Sequence, residues 1–187
     1  NKAIFLDKDG TLVEDVPYNI DPERISLLPG VIRGLSALQH AGFMLVLITN
    51  QSGIVLGYFT EPELRNALEH LRDLLAAQDI HLTASYYCPH APDIQSCDCR
   101  KPQPGLLLRA ARELDLDLQN SWMIGDILDD VEAGRRAGCH TVLIDNGNET
   151  EWLRSDLRTP DITAKDLAAA AASILRIKTL HAHPSSI

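Results

Sequence analysis

Short apolar runs alternate with helix-patterned stretches along this chain, and most of the runs close on a polar or acidic cluster. The runs are Ala3-Ile4-Phe5-Leu6, Phe43 to Ile48, Ala84 to Tyr87, Trp122-Met123-Ile124 and Thr141 to Ile144. They are short and almost uniformly apolar, as buried strands are. Between them lie helical spacings. Val31, Leu35 and Leu38 form one, stopped by Gly42; Leu64, Leu68, Leu71 and Leu75 form another, opened by Thr60-Glu61-Pro62-Glu63 with the spacing of a capping box. Two more run from Leu106 to Leu114, after Pro104-Gly105, and from Asp130 to Ala137, before Gly138. A last helix is expected near Ala164 to Ile177, and the tail from Thr179, with His181, His183 and Pro184, is expected to fray. Repeated strand-then-helix order predicts an α/β fold of three layers, a parallel central sheet with helices on both faces.

In a parallel sheet all strands deliver their carboxyl ends to one edge, where open α/β folds bind ligands. The first strand runs into Asp7-Lys8-Asp9-Gly10-Thr11, the second into Thr49-Asn50-Gln51-Ser52-Gly53, and the fourth into Gly125-Asp126. Lys101 follows a cysteine-rich segment. Acids, a hydroxyl, an amide and a lysine converging on one edge suit phosphoryl transfer, which depends on positioning and on neutralising charge over the equatorial oxygens. Each piece also has an ordinary reading: Asp-Gly-Thr is a good turn, Thr49-Asn50 a loop start or cap, and Asp130 a partner for a helix dipole.

Cys88-Pro89-His90 and Cys97-Asp98-Cys99 place three thiols and one imidazole within twelve residues. Four such ligands complete a tetrahedral zinc site with no open position, so the metal would be structural. A disulfide pair in an exported protein is the competing reading, disfavoured by the missing signal-peptide layout and by the cysteine that a pair within the loop would leave over. Cys139 reads as a small buried apolar residue. The loop runs straight into Arg100-Lys101, so fixing its backbone would fix where those cations point.

The chain has 187 residues, enough for one domain and a substantial core. Leu12 to Leu28 is polar and irregular, too short for a folded cap domain but long enough for a flap. A net charge of −9 argues against broad binding to nucleic acid or anionic membranes, so a phosphorylated substrate must be met by local cations or a metal. The apolar runs fall short of a membrane span and the start lacks a signal-peptide layout, which sets the expectation of a cytoplasmic protein, taken to be a monomer.

The pattern Asp7-x-Asp9-Gly10-Thr11, Thr49-Asn50, Lys101 and Gly125-Asp126 resembles the haloacid dehalogenase (HAD) superfamily in order and spacing. The resemblance implies a three-layer Rossmann-like HAD domain over residues 1–178, without a large cap, that hydrolyses phosphate esters. It implies that Asp7 is the nucleophile forming an aspartyl-phosphate and that Asp9 is the acid and then the base. Thr49, Asn50 and Lys101 would bind the transferred phosphoryl group. Magnesium would be held by Asp7, the main-chain carbonyl of Asp9, and Asp126.

With the Thr49-to-Gly53 loop, Cys88-Pro89-His90 and Cys97-Asp98-Cys99-Arg100-Lys101-Pro102 added, the chain is similar to the heptose-bisphosphate phosphatases of that superfamily. The histidinol-phosphate phosphatases share the metal loop. The similarity, over roughly residues 3 to 145, implies removal of the C7 phosphate of D-glycero-D-manno-heptose 1,7-bisphosphate on the route to ADP-heptose and lipopolysaccharide core. It implies zinc on Cys88, His90, Cys97 and Cys99, and substrate contacts from Asp15, Tyr18, Asn50, Gln51, Ser52 and Arg100. Some members carry lysine directly after the metal-binding aspartate, where this chain has Ile127. Histidinol phosphate is the alternative substrate. A nucleic-acid 3′-phosphatase lacks support from any basic stripe, and a zinc-organised interaction module with a dead site would have no need to keep Asp7, Asp9, Thr49, Lys101 and Asp126 together.

Overall fold

The structure, a computed structural model, describes residues 1–93 and 97–182. Six parallel strands form one sheet: β1 (Ala3–Leu6), β2 (Met44–Asn50), β3 (Leu82–Cys88), β4 (Trp122–Gly125), β5 (His140–Ile144) and β6 (Ile162–Ala164). Their order is β3-β2-β1-β4-β5-β6, so β1 lies inside, hydrogen-bonded to β2 on one side and β4 on the other. The chain winds outward from β1 in both directions, and the crevice beside β1 is the switch point where such sheets bind ligands.

Alternation along the strands divides the core into two layers. Ile4, Leu6, Leu45 and Leu47 face helices α1 (Val31–His40), α2 (Glu61–Ala76) and α5 (Leu167–Ala182) through Leu35, Leu38, Leu71 and Ile174. Ala3, Phe5, Val46 and Ile48 face α3 (Gly105–Leu114) and α4 (Leu128–Ala137) through Leu107, Ala110 and Ala133. All four residues of β1 are fully buried, which is why its sequence shows no polar alternation. The expected capping box of α2 is formed, with Thr60 and Glu63 bonded reciprocally.

Several expectations need correction. Thr49 and Asn50 belong to β2 itself, paired with Tyr87 and Cys88 of β3. Ala164 ends a strand and does not open the last helix, which starts at Leu167 after Asp166 caps it by accepting from Ala169 N at 2.7 Å. Helix α5 also continues through 179–182, where fraying was expected; 183–187 lie outside the described residues, as do 94–96 of the cysteine loop. The flap over 12–28 is narrower than its sequence implies. Leu12, Val13 and Ile25 are buried, and Leu28 N bonds to Leu12 O at 2.9 Å, so only the middle of the segment projects.

Candidate active site

Asp7 follows β1 directly, and its N–H donates to Ile124 O of β4 at 3.0 Å, which continues the sheet ladder into the site. The chain then turns tightly, with Leu12 N and Val13 N donating to Lys8 O. Gly10 adopts φ +78°, and a Cβ there would lie 1.9 Å from Asp126 Oδ2. Only glycine lets the loop lie against that carboxylate. Gly125 plays a matching part after β4, since a Cβ there would lie 2.2 Å from the Asp130 carboxylate.

Asp7, Asp126 and Asp130 are all buried and offer ligand oxygens within 4.8 Å of one another. Lys101 reaches them from the segment after the cysteine loop: its Nζ lies 2.5 Å from Asp7 Oδ1, 2.6 Å from Asp130 Oδ1 and 3.1 Å from Ile48 O. The contact to Asp130 Oδ1 is an ion pair without hydrogen-bond alignment. Burial alone would lower the Lys101 pKa, but the Asp130 and Asp7 charges more than reverse it and keep the ammonium protonated. The acids respond in the opposite sense. Burial, then the Asp7 and Asp130 charges, push Asp126 up to about 8; burial pushes Asp130 up to about 7 against the pull of Lys101. One lysine cannot neutralise three buried carboxylates, and oxygen donors of this kind fit a hard divalent cation such as magnesium.

Sequence leaves Asp130 open between a partner of Asp126 in Gly125-Asp126-x-x-x-Asp130 and a helix-dipole residue, and the structure makes it a member of this cluster. Its position four residues after Asp126, one turn into α4, was the available signal. It also accepts from Ile127 N at 3.3 Å, so Ile127 contributes through its main chain at the place where some relatives are expected to carry a cation.

Asp9 stands beside the trio with its carboxylate engaged by Lys8 and, at 3.1 Å, by Gln51 Nε2. Burial pushes its pKa upward despite the Lys8 charge. Gln51 Nε2 also reaches Thr49 Oγ1 at 3.0 Å, tying both residues to Asp9. Asn50, expected from sequence as a substrate contact, also has a structural partner. Its Nδ2 donates to Lys101 O at 3.1 Å and its Oδ1 accepts from Lys101 N at 3.0 Å, so both ends of the amide hold the Lys101 backbone.

Asp15, Tyr18, Asn50, Gln51 and Ser52 line one cavity of about 200 Å³ together with Asp9. Tyr18, in left-handed conformation, packs its ring against Tyr58 at a tilt of 48° with centroids 4.5 Å apart. Arg100 does not line the cavity; its Nη1 donates to His90 O at 3.0 Å.

Cys88, His90, Cys97 and Cys99 gather with S···S and S···N separations of 3.0 to 3.5 Å. Three thiols and one imidazole drawn to within 3.5 Å of one another are the donor set of a structural tetrahedral zinc site, so the chemistry of the four fits zinc. These thiols are free, which removes the disulfide reading for them. Burial opposes ionisation of Cys97, but the Cys99 thiol and the N–H of Arg100 outweigh it and lower the pKa to about 7. Cys88 is paired in register with Asn50, and Arg100 N donates to Cys97 Sγ at 3.3 Å, so the loop adjoins both anchors of Lys101. Cys139 is buried and apart from this group, as expected.

A doubly wound parallel sheet with an Asp-x-Asp turn after its inner strand and a lysine-neutralised acid cluster beside it defines a HAD-type phosphatase. Residues 98–170 match the HAD-hydrolase-like family. D-glycero-beta-D-manno-heptose-1,7-bisphosphate 7-phosphatase of Haemophilus influenzae is 46% identical over 139 residues, covering 72% of this chain and 76% of that one. The enzyme of that name from Escherichia coli K12 is 40% identical over 170 residues, 83% of this chain and 89% of that one. The crystal structure of D,D-heptose 1,7-bisphosphate phosphatase from B. bronchiseptica, complexed with magnesium and phosphate, superposes with TM-score 0.78 at 33% identity, over 95% of this chain and 99% of that one. The chain belongs to this family of HAD phosphatases. Among the described residues no helix is long and apolar enough to cross a membrane.

Proposed function

We propose that this phosphatase removes the C7 phosphate of D-glycero-beta-D-manno-heptose 1,7-bisphosphate, in the supply of ADP-heptose for lipopolysaccharide core. The observation that carries the reading is that Asp9, close enough to Asp7 to feel its charge, also lines the compact cavity under the flap. A phosphate at Asp7 would leave its sugar in a space with room for a small substrate and with polar walls from Asp15, Gln51 and Ser52. The names carried by the relatives at 40 to 46% identity favour the heptose over histidinol phosphate and supply the beta anomer.

Asp7 attacks phosphorus in line while Asp9 gives its proton to the departing C7 oxygen. The bond from phosphorus to that oxygen breaks as the bond to the Asp7 carboxylate forms. Asp9, now ionised, takes a proton from the water that cleaves the aspartyl-phosphate. Its upward-shifted pKa suits the first of those roles. Lys101 and Thr49 offer donors to the phosphoryl oxygens. Asp7, Asp126, Asp130 and the Asp9 carbonyl would hold Mg²⁺, which when bound neutralises charge on the transferred group. Zinc on Cys88, His90, Cys97 and Cys99 would be structural. Arg100 would have to leave His90 O to reach a second phosphate. The enzyme is taken to act as a cytoplasmic monomer, and its net charge of −9 disfavours nucleic-acid partners.

The test is phosphate release with magnesium from both heptose 1,7-bisphosphate anomers, fructose bisphosphate, histidinol phosphate and a 3′-phosphorylated oligonucleotide. The beta-heptose is expected to give the highest kcat/KM; better turnover of histidinol phosphate would overturn the assignment.

A further inference from the structure

The loop after β5 has no part in the chemistry set out above, yet three of its side chains reach into the site. Asn146 Nδ2 donates to Gly10 O at 2.7 Å, across 136 positions of sequence. Asn148 Nδ2 donates to Asp126 Oδ2 at 2.7 Å. Glu149 Oε2 accepts from Leu128 N, at the start of α4, at 2.7 Å. One short loop thus grips the turn that follows the nucleophile, a cluster carboxylate, and the helix that carries Asp130.

The loop is braced for this task. Asn146 Oδ1 accepts from Asn148 N at 3.2 Å, and Glu149 Oε1 accepts from Glu151 N and Trp152 N at 2.8 and 3.1 Å. Asp126 needs such a grip more than its neighbours do. Lys101 pairs with Asp7 and Asp130, whereas Asp126 has in its place a 3.5 Å contact from Thr11 Oγ1 and the close bond from Asn148. A neutral amide at that oxygen orients the carboxylate without competing as a cation for the space between the acids. Gly10 completes the fit, because a Cβ there would lie 2.5 Å from Asn148 Nδ2.

We infer that Asn148 is a positioning residue for the divalent-cation site, holding Asp126 in the orientation that binds the ion, with Asn146 and Glu149 anchoring the loop that presents it. The inference rests on the reading of Asp7, Asp126 and Asp130 as that site. It assigns Asn148 to metal affinity, not to a contact with substrate.

The experiment titrates Mg²⁺ alone into metal-free wild type, Asn148→Ala and Asn148→Leu, followed by isothermal calorimetry and by the rise in Tm. Leucine keeps the bulk and removes the donor, so it separates hydrogen bonding from packing. Both variants are expected to bind Mg²⁺ about 10- to 100-fold more weakly. Turnover at saturating Mg²⁺ is expected within a few-fold of wild type, and KM for substrate unchanged. Wild-type Mg²⁺ affinity in both variants overturns the role of Asn148 and leaves the metal site standing. A wild type that binds no Mg²⁺ overturns the metal site and the inference with it.

Discussion

Lys101 Nζ and Asp7 Oδ1 lie 2.5 Å apart in the interior, although 94 positions separate the residues in the chain. The lysine side chain is 3% exposed and the aspartate 11%, so neither charge has water to fall back on. Removing one partner strands the other. Lys101→Met is expected to destabilise the fold by about 3–5 kcal/mol and to lower kcat by about 10²- to 10³-fold. Denaturant unfolding and turnover at saturating substrate measure both. A variant as stable as wild type would show that the pair is not the anchor its burial implies.

Asp7 and Asp9 differ in surroundings and should differ on mutation. Asp7→Asn is expected to abolish turnover and acyl-phosphate formation with the fold retained by circular dichroism. Asp9→Asn should slow turnover by about 10²- to 10⁴-fold, most strongly for poor leaving groups, because an activated ester needs less help from an acid. Comparable losses on an activated aryl phosphate and on the sugar would contradict the acid role.

Gly10→Ala meets two obstacles, a left-handed backbone costing about 1–2 kcal/mol for any side chain and the Asp126 carboxylate 1.9 Å from the new Cβ. Gly42→Ala meets only the first, since nothing lies within 4 Å of its Cβ at φ +82°. Both variants should lower Tm. Only Gly10→Ala should also weaken Mg²⁺ binding, and equal Mg²⁺ affinity in the two would remove the claim that Gly10 makes room for Asp126.

The acid cluster links stability to pH through the metal. Asp126 and Asp130, raised from 3.8 to about 8 and about 7, hold more protons in the folded than in the unfolded chain across that window. Metal-free stability must therefore fall as pH rises through it. Mg²⁺ favours the ionised carboxylates, so the rise in Tm on adding Mg²⁺ should be larger near about pH 8.5 than near about pH 5.5. Scanning calorimetry with and without Mg²⁺ measures it; an equal or larger effect at the acid end would argue against these ligands.

Zinc loss should reach the site through Arg100 and Lys101. Cys97→Ala removes both a ligand and the acceptor of Arg100 N. The variant is expected to lose zinc by elemental analysis and at least about ten-fold in activity, in the range typical of lost metal support. Full activity in zinc-free protein would deny the loop any part in placing Lys101.

Much of this molecule is written in local sequence. The apolar runs that became β1, β2, β4 and β5 fix side-chain alternation and direction at once, and a parallel sheet then has no choice but to bring Asp7, Thr49 and Asp126 to one edge. Strand β6 escaped notice because three residues with one buried member carry no period, and Ala164 followed by helix formers looks helical. Asp130 stays ambiguous in the Gly125-Asp126-x-x-x-Asp130 pattern, because an acid in the first turn of a helix needs no other reason to be there. Asn50 is legible as a site residue, but its hold on Lys101 is not. Its amide is turned to Lys101, a partner 51 residues away that no pattern around position 50 announces.

That Asn50 clasp also bears on the order of events in folding. Asn50 pairs with Cys88 across β2 and β3, and Gln51 N bonds to Cys88 O at 2.7 Å, so the clasp can close only after those strands have met in native register. A slip of one residue would turn the Asn50 amide to the opposite face of the sheet and leave Lys101 unheld. Regain of turnover during refolding is therefore expected to lag behind regain of strand and helix content, and the two arriving together would contradict it.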